Sequence, residues 1–92
     1  MRYTWDPEKD ALNRRKHGLS LEDGIPALED PGRDFWIDDR FDYGEERFGT
    51  LGKGKTLILL VVSTIRDLDE TRIISVRKAN EKETSWYYFG RP

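Results

Sequence analysis

Residues 56–64 read TLILLVVST, with apolar side chains on consecutive as well as alternate positions. Neighbouring side chains of a strand point to opposite faces, so a strand without a polar face needs cover above and below. The longest apolar run, residues 57–62, is far short of the roughly 20 apolar residues a membrane-spanning helix needs. The pattern predicts the central strand of a sheet flanked by helices.

The flanks extend this reading. Upstream, Gly52-Lys53-Gly54-Lys55 makes a tight connection from a strand over residues 45–51, in which Phe48 sits between polar neighbours. Before it, Asp38-Asp39-Arg40 is a polar turn and Phe35-Trp36-Ile37 a further strand. Downstream, Asp67-Leu68-Asp69 turns the chain into a strand over residues 71–76. These connections are too short for crossover helices, so the strands form a largely antiparallel meander.

Helices close both ends. Asn80 with Glu83 three residues on is a capping box, and Trp86 and Phe89 follow one turn apart before Gly90. Near the start, Tyr3 and Trp5 share one face of a short strand. Asp6 as N-cap and Pro7 at the first helical position then open a helix to His17, which Gly18 stops. Its apolar stripe is thin, consisting of Ala11 and Leu12. Ser20 and Asp23 propose a second helix, which Pro26 kinks or splits near Gly24 before the Asp30-Pro31-Gly32 turn. The expectation is one α+β domain over residues 1–92, with a largely antiparallel sheet of four to five strands, two N-terminal helices and one C-terminal helix.

Composition narrows the function. The chain has no cysteine, which excludes disulfides, a thiol nucleophile and thiolate metal sites and makes the cytoplasm the expected compartment. MRYTWDPEKD lacks the apolar core of a signal peptide. A net charge of −2 argues against indiscriminate capture of nucleic acid. Residues 29–47 nevertheless hold eight acidic against three basic groups, and residues 48–92 eight basic against five acidic, so one acidic and one basic surface are expected.

Arg47, Arg66, Arg72 and Arg77 fall on three successive strands, and guanidinium groups suit bidentate phosphate binding. Strict alternation places Arg72 and Arg77 on opposite faces, so they converge only through a bulge or twist. Arg77 and Lys78 precede a helix N-terminus, where backbone donors favour an anion. The bland alternative is that each arginine pairs with a carboxylate. His17, the only histidine, is either a helix C-terminal cap or a proton carrier. One histidine and no cysteine disfavour a transition-metal site. The glycines at 49, 52 and 54 fit hairpin turns better than a nucleotide loop.

Several motifs occur in a distinctive order: Trp5-Asp6-Pro7, Lys16-His17-Gly18 followed by Leu19-Ser20-Leu21-Glu22, Asp30-Pro31, and the segment DYGEER over residues 42–47. RIISVRKA over residues 72–79 follows, with Glu83 and Tyr87 beyond. Together they resemble the BrnT family of type II toxin–antitoxin toxins over nearly the whole chain. Departures are the Gly24-Ile25-Pro26 interruption and Val76, where the family carries a smaller residue. The resemblance implies a RelE-like fold, RNA cleavage and inhibition of translation; the mechanism expected from the cationic residues is metal-independent, the RNA's own 2′-hydroxyl attacking the adjacent phosphate, with no cofactor. It also implies a BrnA-like ribbon-helix-helix antitoxin as partner in a hetero-oligomer, with DNA contacted only through that antitoxin and no membrane involved. It carries over His17, Glu45, Arg72, Arg77 and Lys78 as catalytic candidates, and Lys16, Arg47, Arg66 and Tyr87 as RNA-binding candidates. The alternative is a non-catalytic RNA- or antitoxin-binding module, a degenerate toxin acting as repressor partner.

Overall fold

The computed structural model describes residues 1–40 and 42–92. The apolar run becomes β4 (Ile58–Asp67), the middle of five strands in the order β1-β5-β4-β3-β2. The others are β1 (Arg2–Thr4), β2 (Asp34–Asp38), β3 (Arg47–Lys53) and β5 (Glu70–Lys78). All neighbours are antiparallel except β1, which pairs in parallel with β5 through Tyr3 opposite Thr71.

Both faces of β4 are covered. Leu59 and Val61 join Ile73, Val76, Leu21 and Ala27 in one core, against which Tyr3 and Trp5 pack as their alternation predicts. Ile58 and Leu60 join Leu51 and Ala79 in a second core, packed by Trp36, Trp86 and Tyr87. Each fully buried side chain of this kind contributes about 1.5–3 kcal/mol, so the two cores supply the main drive to fold. The first is roofed by the N-terminal elements and the second by α3 (Glu81–Phe89).

Helix α1 (Pro7–His17) begins at the Asp6 cap, whose carboxylate accepts the Glu8 N–H at 2.9 Å, and ends at Gly18 with φ of 73°. The thin Ala11–Leu12 stripe does not dock it: Ala11 is exposed and Leu12 is 54% exposed. Asn13 is the buried residue. Its amide donates to the Val76 carbonyl and the Leu19 carbonyl at 2.8 Å each, and its oxygen accepts the Val76 N–H at 3.1 Å. Because β1 pairs only with residues 70–72 of β5, the outer side of β5 beyond them has no strand neighbour among the described residues, and Asn13 satisfies both backbone groups of Val76 there.

The second helix is split as its proline predicts. Ser20 and Asp23 cap each other around a 3-10 turn, Leu21–Gly24, which leads into the four-residue α2 (Ile25–Leu28). This element lies so close to β3 that a Cβ at Gly52 would meet the Ala27 carbonyl oxygen at 2.2 Å. Gly49 and Gly52 therefore serve close packing inside β3, not hairpin turns. The turn falls after β3, where the Gly54 N–H donates to the Leu57 carbonyl at 2.7 Å.

A bulge overturns the alternation expected for β5. Ser75 stands opposite Val62 and Ile73 opposite Ser63, leaving Ile74 as the extra residue. Ile73 and Val76 consequently enter the same core, and Arg72, Ser75 and Arg77 share the opposite face. Arg47 lies on that face too, because it is two residues from Gly49, which pairs with Val62. Among the described residues, no helix is long and apolar enough to cross a membrane.

Candidate active site

Three successive strands deliver one arginine each to a single pocket of about 130 Å³: Arg47 from β3, Arg66 from β4 and Arg72 from β5. Lys9 and Asp6 at the start of α1 complete the wall together with Glu45. The parallel pairing of Thr4 with Arg72 brings the entrance of α1 beside these strands, and Glu70 fixes it by accepting from Arg2 at 2.6 Å and Thr4 at 3.0 Å. On the other side, the Thr64 hydroxyl donates to the Glu46 carbonyl at 2.7 Å, holding the end of the β2–β3 connection against β4.

Within the pocket, Arg47 is restrained twice. It reaches Glu45 at 3.4 Å and its guanidinium carbon lies 3.9 Å from the centroid of the Tyr43 ring. Among the described residues, no carboxylate lies within 4.0 Å of Lys9, Arg66 or Arg72. Four cations thus face two carboxylates, and three of the cations are open to an outside anion.

The remaining candidates stand elsewhere. Arg77 shares a face with Arg72 but is five residues away, about 16 Å along the strand. There it forms a two-pronged pair with Glu83, both bonds 2.8 Å. Glu83 also accepts the Asn80 N–H at 2.9 Å, so the anion at the N-terminus of α3 is the chain's own carboxylate. Hydrogen bonds from Arg77 hold the Glu83 carboxyl below its ordinary range, against the opposing effect of burial. Lys78 pairs with Leu59 and so faces away from Arg72. Lys16 and His17 end α1, and His17 is eight residues from Lys9, about 12 Å along the helix.

Tyr87 works as a brace. Its hydroxyl donates to Asp30, which also accepts the Lys53 N–H at 2.8 Å and the Gly32 N–H at 2.9 Å. Burial pushes the Asp30 carboxyl up, but these hydrogen bonds outweigh it and the net shift is downward. The bond to Asp30 pushes the Tyr87 hydroxyl up to about 12. The structure therefore gathers Glu45, Arg47, Arg66 and Arg72, and sets His17, Lys16, Arg77, Lys78 and Tyr87 apart from them. Lys9 and Asp6 were not legible as site residues. Asp6 reads as a cap, and only the β1–β5 pairing reveals what it faces.

These features define a small α+β domain with a mostly antiparallel sheet and a cation-lined pocket. The family model of the ribonuclease toxin BrnT of type II toxin–antitoxin systems matches residues 5–83, a span containing every residue of that pocket. The chain belongs to the BrnT family. Among solved structures, the crystal structure of the Brucella abortus ribonuclease toxin BrnT superposes with a TM-score of 0.61 at 22% identity, covering 88% of this chain and 99% of that one. That likeness is one of fold. No curated protein matches the chain.

Proposed function

We propose that this protein is an endoribonuclease toxin that cuts RNA in the Arg47–Arg66–Arg72 pocket, without a metal ion, and thereby inhibits translation. The convergence of Lys9, Arg66 and Arg72, none held by a carboxylate among the described residues, beside the Glu45–Arg47 pair carries the reading. A phosphodiester enters as the anion these cations lack. Its own 2′-hydroxyl attacks phosphorus: the 2′-oxygen–phosphorus bond forms, the bond from phosphorus to the 5′-oxygen breaks, and a 2′,3′-cyclic phosphate results.

Glu45 takes the proton of the 2′-hydroxyl, and Lys9 protonates the departing 5′-oxygen. Arg66 and Arg72 stabilise the charge that builds on the non-bridging oxygens, and one such donor is worth about 10²–10³ in rate. Arg47, braced by Tyr43, orients Glu45. An excess of cations repels a divalent ion, which supports the metal-free route. A BrnA-like ribbon-helix-helix antitoxin neutralises the activity, and only that partner contacts DNA.

The test is digestion of a defined RNA by the purified protein in EDTA, with product ends assigned by mass spectrometry. Cyclic phosphate and 5′-hydroxyl ends are expected. Products with 3′-hydroxyl ends, or cleavage that requires a divalent ion, overturn the chemistry.

A further inference from the structure

The sheet leaves one stretch of strand open beside the pocket. β3 pairs with β4 only as far as Phe48 opposite Ser63, whereas β4 continues to Asp67 and pairs onward with β5 alone. Among the described residues, the β3 side of residues 65–67 meets no strand and makes no other backbone hydrogen bond. Such an edge is a template for one more strand.

The two faces at this open edge differ in chemistry. On one, Ile65 (59% exposed) continues into an apolar patch with Phe48, Phe35 (57%) and Ile37 (55%). On the other, Arg66 looks into the cationic pocket with Arg72. A groove of about 520 Å³, lined by Glu45, Glu46, Phe48, Thr64, Ile65 and Arg66, joins the two. Phe48 and Ile65 in its lining, together with Glu45 and Glu46, disfavour a polyanion, so RNA is a poor occupant of the groove itself.

We infer that the open edge of β4 takes an extended segment of the antitoxin, with apolar and acidic side chains in alternation. Alternation sends successive side chains to opposite faces, so the apolar ones cover Ile65 and Phe35 while an acidic one enters the Arg66–Arg72 pocket. That carboxylate occupies the place of the scissile phosphate, and inhibition is competitive with RNA. The inference rests on the pocket being the nuclease site, but the surface is testable apart from it.

The experiment uses a purified BrnA-like antitoxin as probe, with calorimetric affinity, RNA cleavage and amide exchange as readouts. Ile65→Glu and Phe35→Glu, both at exposed positions, are expected to weaken antitoxin binding roughly tenfold or more. Both should leave RNA cleavage within about threefold of the unmodified protein, as expected for side chains outside the chemistry. In the unmodified complex, amides within residues 65–67 that exchange freely in the free protein become protected. Unchanged affinity of both variants, or unchanged exchange at residues 65–67, overturns the inference. A parallel loss of cleavage and affinity in folded variants also overturns it and makes the groove an RNA path. If the protein cleaves no RNA at all, the nuclease reading fails, while affinity and exchange still decide the surface.

Discussion

Arg72 and Arg77 project from the same face of β5, yet only Arg77 is held by a carboxylate, with two 2.8 Å bonds to Glu83. The bulge at Ile74 gives them a common face, and the length of the strand gives them different surroundings. One arginine is spent on attaching α3 to the sheet; the other is left for an outside anion.

Arg72→Ala is therefore expected to lower the RNA cleavage rate about 10²–10³-fold, the cost of removing one charge-stabilising donor. Its thermal midpoint should stay close to that of the unmodified protein, because among the described residues its side chain has no hydrogen-bond or ion-pair partner to lose. Single-turnover cleavage alongside a melting curve measures both. A cleavage rate within threefold of the original would remove Arg72 from the site.

Arg77→Ala reverses the pattern. Losing two charge-assisted bonds at a half-buried site costs about 1–2 kcal/mol and lowers the melting temperature by about 4–15 °C for a domain of this size. Cleavage per folded molecule should change little. A large loss of cleavage with an unaltered melt would assign Arg77 to the chemistry instead.

Asn13→Ala strands the N–H and carbonyl of Val76 inside the protein. The expected destabilisation is on the order of 2–4 kcal/mol, seen as a lower urea midpoint. Exchange of the Val76 amide should accelerate with it, whereas Leu12→Ala, at an exposed position, should be nearly neutral.

Stability should depend on pH at both ends of the scale. Asp30, Asp38 and Glu83 are held below their ordinary values of 3.8, 3.8 and 4.5, Asp38 chiefly by hydrogen bonds from Arg40. Their contribution is fully present above those values and is lost as pH falls through the lowered ones. Tyr3, by burial, and Tyr87, by its bond to Asp30, are both raised from 10.0 to about 12, so their contribution holds below 10 and is lost as pH climbs through 12. Urea midpoints measured across this range should show both limbs. Tyr87→Phe should lower the plateau and shrink both limbs, since it removes one raised hydroxyl and the donor that lowers Asp30.

Most of the framework was readable because it follows local rules. The two-faced apolar run, the Asp6 and Asn80 caps, the Gly18 stop and the split at Pro26 each depend on residues within a few positions of one another. The site was legible in part. Arg47, Arg66 and Arg72 are cations on successive strands with Glu45 just before the first of them, but Arg77 looks the same in the sequence, and nothing local says that Glu83 claims it. Lys9 could not be found from spacing, because its proximity to Arg72 depends on a pairing between the two ends of the chain. Asn13 was hidden because a polar residue on a polar helix gives no sign that it lies against an open strand.

That pairing across the chain also sets an order of assembly. Arg2 and Glu70, which fasten β1 to β5, are 68 residues apart. At about 5–20 residues per second, a ribosome needs roughly 3–14 seconds to make the intervening length. Until then the Lys9 wall has nothing to close against, and a chain halted before Arg72 carries at most an incomplete pocket.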